Sequence, residues 1–395
     1  MSWITTELKN VTVKIGSGST PRGGAEAYKE SGISLIRSQN ILDLKFSEDG
    51  LAFIDDRQAE FLKNVTVEEN DVLLNITGDS VARCCGAPKN FLPARVNQHV
   101  AILRADKSKL NSDFLKYYLF DAKEQLLVFS EIGGTRNALT KNMLENFSIC
   151  LPPLPEQQAI ASVLSALDDK IDLLQRQNQT LEQMAATLFR QWFIEEAKED
   201  WEDGCLGDIA TNIRINADTQ SIQDNEIYIG LEHIERRNIA LSNHGYGSDV
   251  ASNKSRFMKT DVLFGKLRPY FHKVCMAPFD GVCSTDILVL RAKQPAFKSF
   301  ILFAFFQDDV VAFANLTSGG TRMPRADWKT LSEYPIAIPP IEKVLEFEAL
   351  ANPSISKIFD NLKQIQTLQT LRDTLLPKLI SGEVRLKGFE TLSEA

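Results

Sequence analysis

The chain has 395 residues, 44% of them apolar and 24% charged, so it is too long for one ordinary domain and rich enough to bury more than one core. Its net charge of −8 is local: residues 1–150 carry 18 basic and 19 acidic side chains, residues 204–340 carry 15 and 14, and residues 151–203 carry 4 and 11. The two large blocks are close to neutral and free to gather basic faces, while the stretch between them is acidic. The six cysteines form no C-x-x-C pair and the four histidines show no metal-ligand spacing. A soluble, cytoplasmic protein with reduced thiols, no metal and no cofactor is expected. No membrane helix is expected either, because the densest apolar run, Phe300 to Phe306, is far short of roughly 20 residues.

In chain order, strand-like stretches come first at Gly32 to Arg37, Asp71 to Ile76 and His99 to Arg104. A short aromatic helix follows at Phe114 to Phe120, then a Gly133-Gly134 turn and a Pro152-Pro153 boundary. Beyond Pro153 no glycine occurs until Gly204 and the pattern turns helical. Leu167, Ile171, Leu174, Asn178, Leu181, Ala185, Leu188 and Trp192 step by four and three, the seam of a coiled coil over a helix Leu167 to Ala197. A plain amphipathic helix packed on its own domain is the alternative. The lone polar residue Asn178 would fix register, and Asn178→Leu would keep or raise stability. Strand-like stretches then return at Ile227 to Leu231, Asp261 to Lys266 and Ile287 to Arg291, with an aromatic helix at Phe300 to Phe306. A last helix, Ser354 to Leu376, carries a second, less regular seam of Ile358, Leu362, Ile365, Leu368, Leu371, Leu375 and Leu379, and Pro377 should kink or end it.

The second half repeats the first. Asp71-Val72-Leu73 returns as Asp261-Val262-Leu263, Leu103-Arg104 as Leu290-Arg291, and Gly133-Gly134-Thr135-Arg136 as Gly319-Gly320-Thr321-Arg322. Lys170-Ile171, Gln179-Thr180-Leu181 and Thr187-Leu188 return as Lys357-Ile358, Gln366-Thr367-Leu368 and Thr374-Leu375. A period near 187 residues is a duplicated domain with its trailing helix, not a solenoid.

Catalytic patterns are absent: Gly265-Lys266 is a poor phosphate loop, with Thr260 and Leu267 at the wrong positions, and no nucleophile elbow, zinc-helix or dinucleotide motif occurs. The chain reads as non-catalytic. The strongest binding signal is Lys254, Arg256, Lys259, Lys266, Arg268 and Lys273 against the single acid Asp261, with Tyr270, Phe271 and His272 interleaved. Such density attracts phosphates, and Arg or Lys can read guanine edges. A solvated strand edge would look the same. The first copy offers a thinner set in Thr77, Arg83, Lys89, Arg95, Asn97, Gln98 and His99, with Arg37 and Asn40 as further polar candidates. Thr135, Arg136, Thr321 and Arg322 could meet a phosphate, or the turns could be merely tight. Phe189 and Trp192 are expected in a core.

These residues resemble a known family, the specificity subunits of Type I restriction–modification systems. LPPLPEQQAIASVLSALDDKIDLLQRQNQTLEQMAATLFRQWF (Leu151 to Phe193) is similar to its central conserved region, and IPPIEKVLEF with TLLPKLISGEVRL to its distal one. YIGLEHI, DVLFGKLRPYFHKV and GGTR are similar to patterns in its target-recognition domains. The distal helix departs from the family's Gln-rich form at IPPIEKVLEFEALANPS. The resemblance implies an α/β (α+β) fold with a pseudo-two-fold repeat: recognition domains at 1–150 and 201–338, and helical spacers at 151–200 and 339–395. The two helices would pair as an antiparallel coiled coil through Leu167, Ile171, Leu174, Asn178, Leu181 and Leu188 on one and Ile358, Leu362, Ile365, Leu368 and Leu375 on the other. About 31 helical residues span roughly 46 Å, more than one DNA turn of about 34–36 Å. It further implies a bipartite double-stranded DNA target, two S-adenosylmethionine-dependent adenine-N6 methyltransferase subunits as partners, and motor–nuclease restriction subunits. A coiled-coil scaffold with no nucleic-acid role is the rival.

Overall fold

The computed structural model describes residues 3–21, 24–131, 137–320 and 323–386. By compactness the chain forms two units, residues 1–169 with 368–395, and residues 170–367.

In the first unit a four-stranded antiparallel sheet runs in the order Thr12–Ser17, Val100–Ala105, Val72–Asn75 and Cys84–Gly86. Val72–Asn75 is buried at every position because both faces of the sheet are covered. Val72 and Leu74 face one core, with Phe114, Tyr117 and Leu126 of the helices Ser112–Asp121 and Lys123–Glu131 and with Ile160, Leu164, Leu376 and Leu379. Leu73, pointing the other way, meets Leu35, Ile54 and Val96 of a second sheet. That sheet runs Ala52–Ile54, Ile33–Ile36, Ala94–Val96, Thr66–Val67, with its two middle strands parallel.

The second unit repeats this plan. Its antiparallel sheet runs Ala210–Asn212, Ile287–Ala292, Val262–Gly265, Val274–Met276. Val262 and Phe264 face a helical core and Leu263 the opposite one. The second sheet has one strand more, Asn216–Ala217, beside Lys254–Phe257, Gly281–Cys283, Ile227–Ile229 and Gly245–Tyr246, and again holds a parallel pair. The repeated dipeptides prove to be partners. Arg104 grips the buried Asp71 at 2.8 and 2.9 Å, and Arg291 grips the buried Asp261 at 2.7 and 2.7 Å.

Two helices close the plan, Leu154–Arg190 and Ile341–Ile380. Within the second unit they run antiparallel: Asn178 bonds Asn361 at 2.8 Å, and the rings of Phe189 and Phe347 lie 5.7 Å apart. Within the first unit the same sense holds, with Asp168 against Arg372 at 2.8 Å and Glu156 against Arg385 at 2.7 Å. Along the first seam Ile171, Leu174, Asn178 and Ala185 are buried, and Leu167, Leu181, Leu188 and Trp192 half-buried. Phe189 is core, 2% exposed. The helix begins at Leu154, thirteen residues before the expected Leu167, and ends in a π-turn, Gln191–Glu195, that turns Phe193 into the core.

The second helix departs further from expectation. It starts at Ile341 and passes through both Pro353 and Pro377. An interior proline costs roughly 3 kcal/mol. Burial of Ala351, Ile355 and Ile358 around Pro353, and of Leu376, Leu379 and Ile380 around Pro377, offsets that cost. The helix stops instead at Gly382, whose φ of 77° suits a left-handed cap beside the Trp3 ring. Leu371 is 44% exposed and leaves the seam. Ile358 and Ile365 are buried and Leu362, Leu368 and Leu375 half-buried, while Asn361, which the periodicity did not include, is fully buried. Among the described residues no single helix is long and apolar enough to cross a membrane, and no His, Cys, Asp and Glu cluster could hold a metal.

Candidate nucleic-acid interface

In each unit the loop leaving the central strand lies against the turn that follows the parallel strand of the second sheet. In the first unit Asn75 N donates to Arg83 O at 2.8 Å and Ile76 N to His99 O at 2.9 Å. Thr77 Oγ1 is 2.5 Å from His99 Nδ1, and Gln98 Nε2 is 3.0 Å from His99 Nε2. The Thr20 hydroxyl donates to the Gln98 side-chain amide oxygen. Thr77, Arg83 and His99 thus share one cleft of about 880 Å³ with Ser38, Gln39 and Asp79.

Three other candidates hold the frame. Asn97 is buried and caps His99 N at 3.0 Å. Asn40, with no exposed surface, accepts from Arg37 N at 3.0 Å and donates to Ser47 and Asp49 carbonyls at 3.0 and 3.2 Å. Its counterpart His233 accepts from Gly230 N at 2.9 Å, the same turn-closing bond. Arg37 donates to Gly50 O and lies 5.1 Å over the Tyr28 ring.

The basic cluster of the second unit divides likewise. Lys254 is 7% exposed, its ammonium bonded to Ser252 O and Oγ at 2.8 Å each. Arg256 is ion-paired with Glu226 and donates to Ser221 O at 3.3 Å. Both cations are neutralised or engaged inside the fold. Lys266 lines a polar cleft of about 470 Å³ with Asn212, Arg214, Asn216, Ser255 and Thr285. Arg268, Tyr270, His272 and Lys273 belong to one tight loop, Arg268–Lys273, where Tyr270 is 52% exposed and His272 only 3%. Burial, with the nearby Arg237, holds His272 below its ordinary value, so the neutral ring is favoured. Lys273 donates to Leu231 O, and burial, then Arg236, depress its ammonium. Thr135, Arg136, Thr321 and Arg322 lie outside the described residues.

Sequence reasoning passed over Ser38, Gln39 and Arg214, and above all Arg236 and Arg237. The Arg236 guanidinium stands 3.9 Å over the Phe271 ring, and Arg237 pairs with Asp308 at 2.8 Å. Their adjacency one residue beyond the YIGLEHI segment was a visible signal.

The chain matches the profile of the Type I restriction modification DNA specificity domain twice, over residues 2–183 and 198–376. It belongs to that family. The Type I restriction enzyme MjaIX specificity subunit of Methanocaldococcus jannaschii is 27% identical over 316 residues, 71% of each chain. The Type I restriction enzyme HindI specificity subunit of Haemophilus influenzae is 20% identical over 435 aligned positions, 89% of this chain and 94% of that one. The fold is similar to the crystal structure of the S subunit of a Type I system from M. genitalium, with a TM-score of 0.63 at 16% identity over 96% of both chains. As a DNA specificity chain of the Type I restriction–modification class, its role is recognition and not catalysis.

Proposed function

We propose that the chain reads a bipartite DNA target, each unit taking one half-site, and that it directs two S-adenosylmethionine-dependent adenine-N6 methyltransferase subunits and motor–nuclease subunits to that site. The observation that carries this reading is the doubled topology. The same antiparallel sheet with the same buried Asp–Arg pair occurs twice, and the exposed loops leave corresponding strands. Two like readers suit two half-sites, with recognition segments 1–150 and 201–338 and helical segments 151–200 and 339–395 as docking surfaces. The contacting residues on this reading are Thr77, Arg83, Gln98 and His99 in one unit and Lys266, Arg268 and Tyr270 in the other, with Lys273, whose ammonium donates to Leu231 O, holding the loop. Arg37, Asn40, Asn97, Lys254, Arg256 and His272 support them from within. The scaffold reading has no use for clefts lined by polar and basic groups.

The test is an exchange. Residues 204–338 are replaced by the matching segment of a relative, the chain is produced with its methyltransferase subunits, and modified adenines are mapped across a genome. One half of the methylated motif should change while the other half stays. A motif that changes throughout, or not at all, would remove the one-unit, one-half-site assignment.

A further inference from the structure

The loop between Val262–Gly265 and Val274–Met276 matches its counterpart in the first unit almost bond for bond. Gly265 N donates to Lys273 O at 2.8 Å and Phe271 N to Arg268 O at 3.0 Å; Asn75 N donates to Arg83 O at 2.8 Å and Val81 N to Gly78 O at 3.1 Å. Both loops need two left-handed residues. The first unit uses Gly78 (φ 78°) and Ala82 (φ 66°), the second Arg268 (φ 51°) and His272 (φ 50°). Bulky side chains in that region are strained, and such strain gathers where a side chain has work to do.

The second loop is braced at both ends. Arg268 N donates to Pro324 O at 2.7 Å, and Arg237 N donates to His272 O at 2.9 Å. The buried His272 ring lies 4.7 Å from Phe306, with Nδ1 3.2 Å from Asp308. Between these anchors Tyr270 stands at the crest, half exposed, its ring edge-on to Phe271 at 4.7 Å, and Phe271 is backed by Arg236 at 3.9 Å. Arg268 opens the same loop and Arg236 backs Phe271, while Arg237 is paired with Asp308 and the Lys273 ammonium is held by Leu231 O. In the first unit the same position is Ser80, whose hydroxyl accepts from the buried Asn75 amide at 3.1 Å and lines the polar cleft.

We infer that Tyr270 is a stacking wedge: the second unit lays this ring against a base at one step of its half-site, with Phe271 and Arg236 behind it, whereas the first unit reads through its polar cleft. The inference rests on the proposal that each unit binds a half-site. An aromatic fixed by its loop loses little freedom on insertion, and the cations Arg236 and Arg268 supply the phosphate attraction a wedge needs to unstack a step.

The experiment uses the chain assembled with its methyltransferase subunits. Duplexes of the methylation-mapped target carry aminopurine at successive positions through both half-sites. Beyond the target adenines that the methyltransferase subunits themselves flip out, binding should brighten one further position, in one half-site only. Tyr270→Phe should retain that signal and the affinity. Tyr270→Ala should lose the signal and weaken binding by about five- to a hundredfold, in line with base–aromatic stacking, with an unchanged melting temperature. Equal binding by Tyr270→Ala, an equal loss by Tyr270→Phe, or no brightened position beyond the flipped adenines in the natural complex would each overturn the wedge. A natural complex that does not bind the target at all would overturn the half-site reading and the wedge with it.

Discussion

The helix pair of the second unit supplies a sharp energetic test. Asn361 is fully buried, and its amide donates to Asn178 Oδ1 at 2.8 Å and to Gln177 Oε1 at 3.0 Å, while its own Oδ1 has no partner among the described residues. Replacing Asn178 by Leu removes one acceptor and leaves the buried amide half-satisfied, which costs about 1–3 kcal/mol. In a unit of this size each kcal/mol moves the melting temperature by roughly 2–4 °C, so Asn178→Leu should melt several degrees lower. Asn361→Leu should cost similarly, since it strands Asn178. The double Leu variant removes both partners and should regain most of the loss, or exceed the natural chain, because an apolar seam pair replaces a polar one. Calorimetry of the four chains closes the double-mutant cycle, and the coupling should be about 1–3 kcal/mol. A single variant as stable as the natural chain, or a double variant no better than the singles, would refute the reasoning. The seam alone had suggested that Asn178→Leu would be tolerated; the partner on the other helix reverses that expectation.

Burial raises the Glu182 carboxyl to about 7, helped by Glu235 and opposed by the Ile239 N–H that it accepts at 3.2 Å. The folded chain therefore keeps a proton that the unfolded chain has released near 4.5, and stability falls as pH rises from there through about 7. The melting-temperature advantage of Glu182→Gln should widen across that window; a constant difference would exclude the titration. For DNA binding, Lys266→Ala should lower the salt slope by about one unit. Lys254→Ala, whose ammonium is bonded within the fold, should lower the melting temperature and leave the slope unchanged. Equal slopes for the two variants would erase the distinction between contacting and structural cations.

Much of the fold was legible because apolar periodicity and duplication are both written in the chain. The strands Val72–Asn75 and Val262–Gly265, the aromatic helices and the first seam fall where the pattern places them. The second helix was harder, because prolines are read as breaks and burial overrides them only in the folded context. The site was legible only in part. Charge density cannot tell Lys266, which faces a cleft, from Lys254, which folds back on Ser252. Nor can it tell His99 from Asn40, since a polar side chain that closes a turn and one that lines a cleft have the same composition.

The duplication itself makes that separation. What the two copies share is what any copy of this fold requires: the Asp71–Arg104 and Asp261–Arg291 pairs that lock adjacent strands, and the turn bond made by Asn40 in one and His233 in the other. What differs sits on the same backbone with the same local bonds and so is free of those requirements. Thr77 corresponds to Leu267, Gly78 to Arg268, Ser80 to Tyr270, and His99 to Asp286, which pairs with Arg325 at 3.2 Å. A scaffold under one set of physical demands that carries two different sets of loop side chains is what the proposed reading of two different half-sites requires. The specificity of each unit is therefore to be sought at the positions where the copies disagree, and the stability of each where they agree.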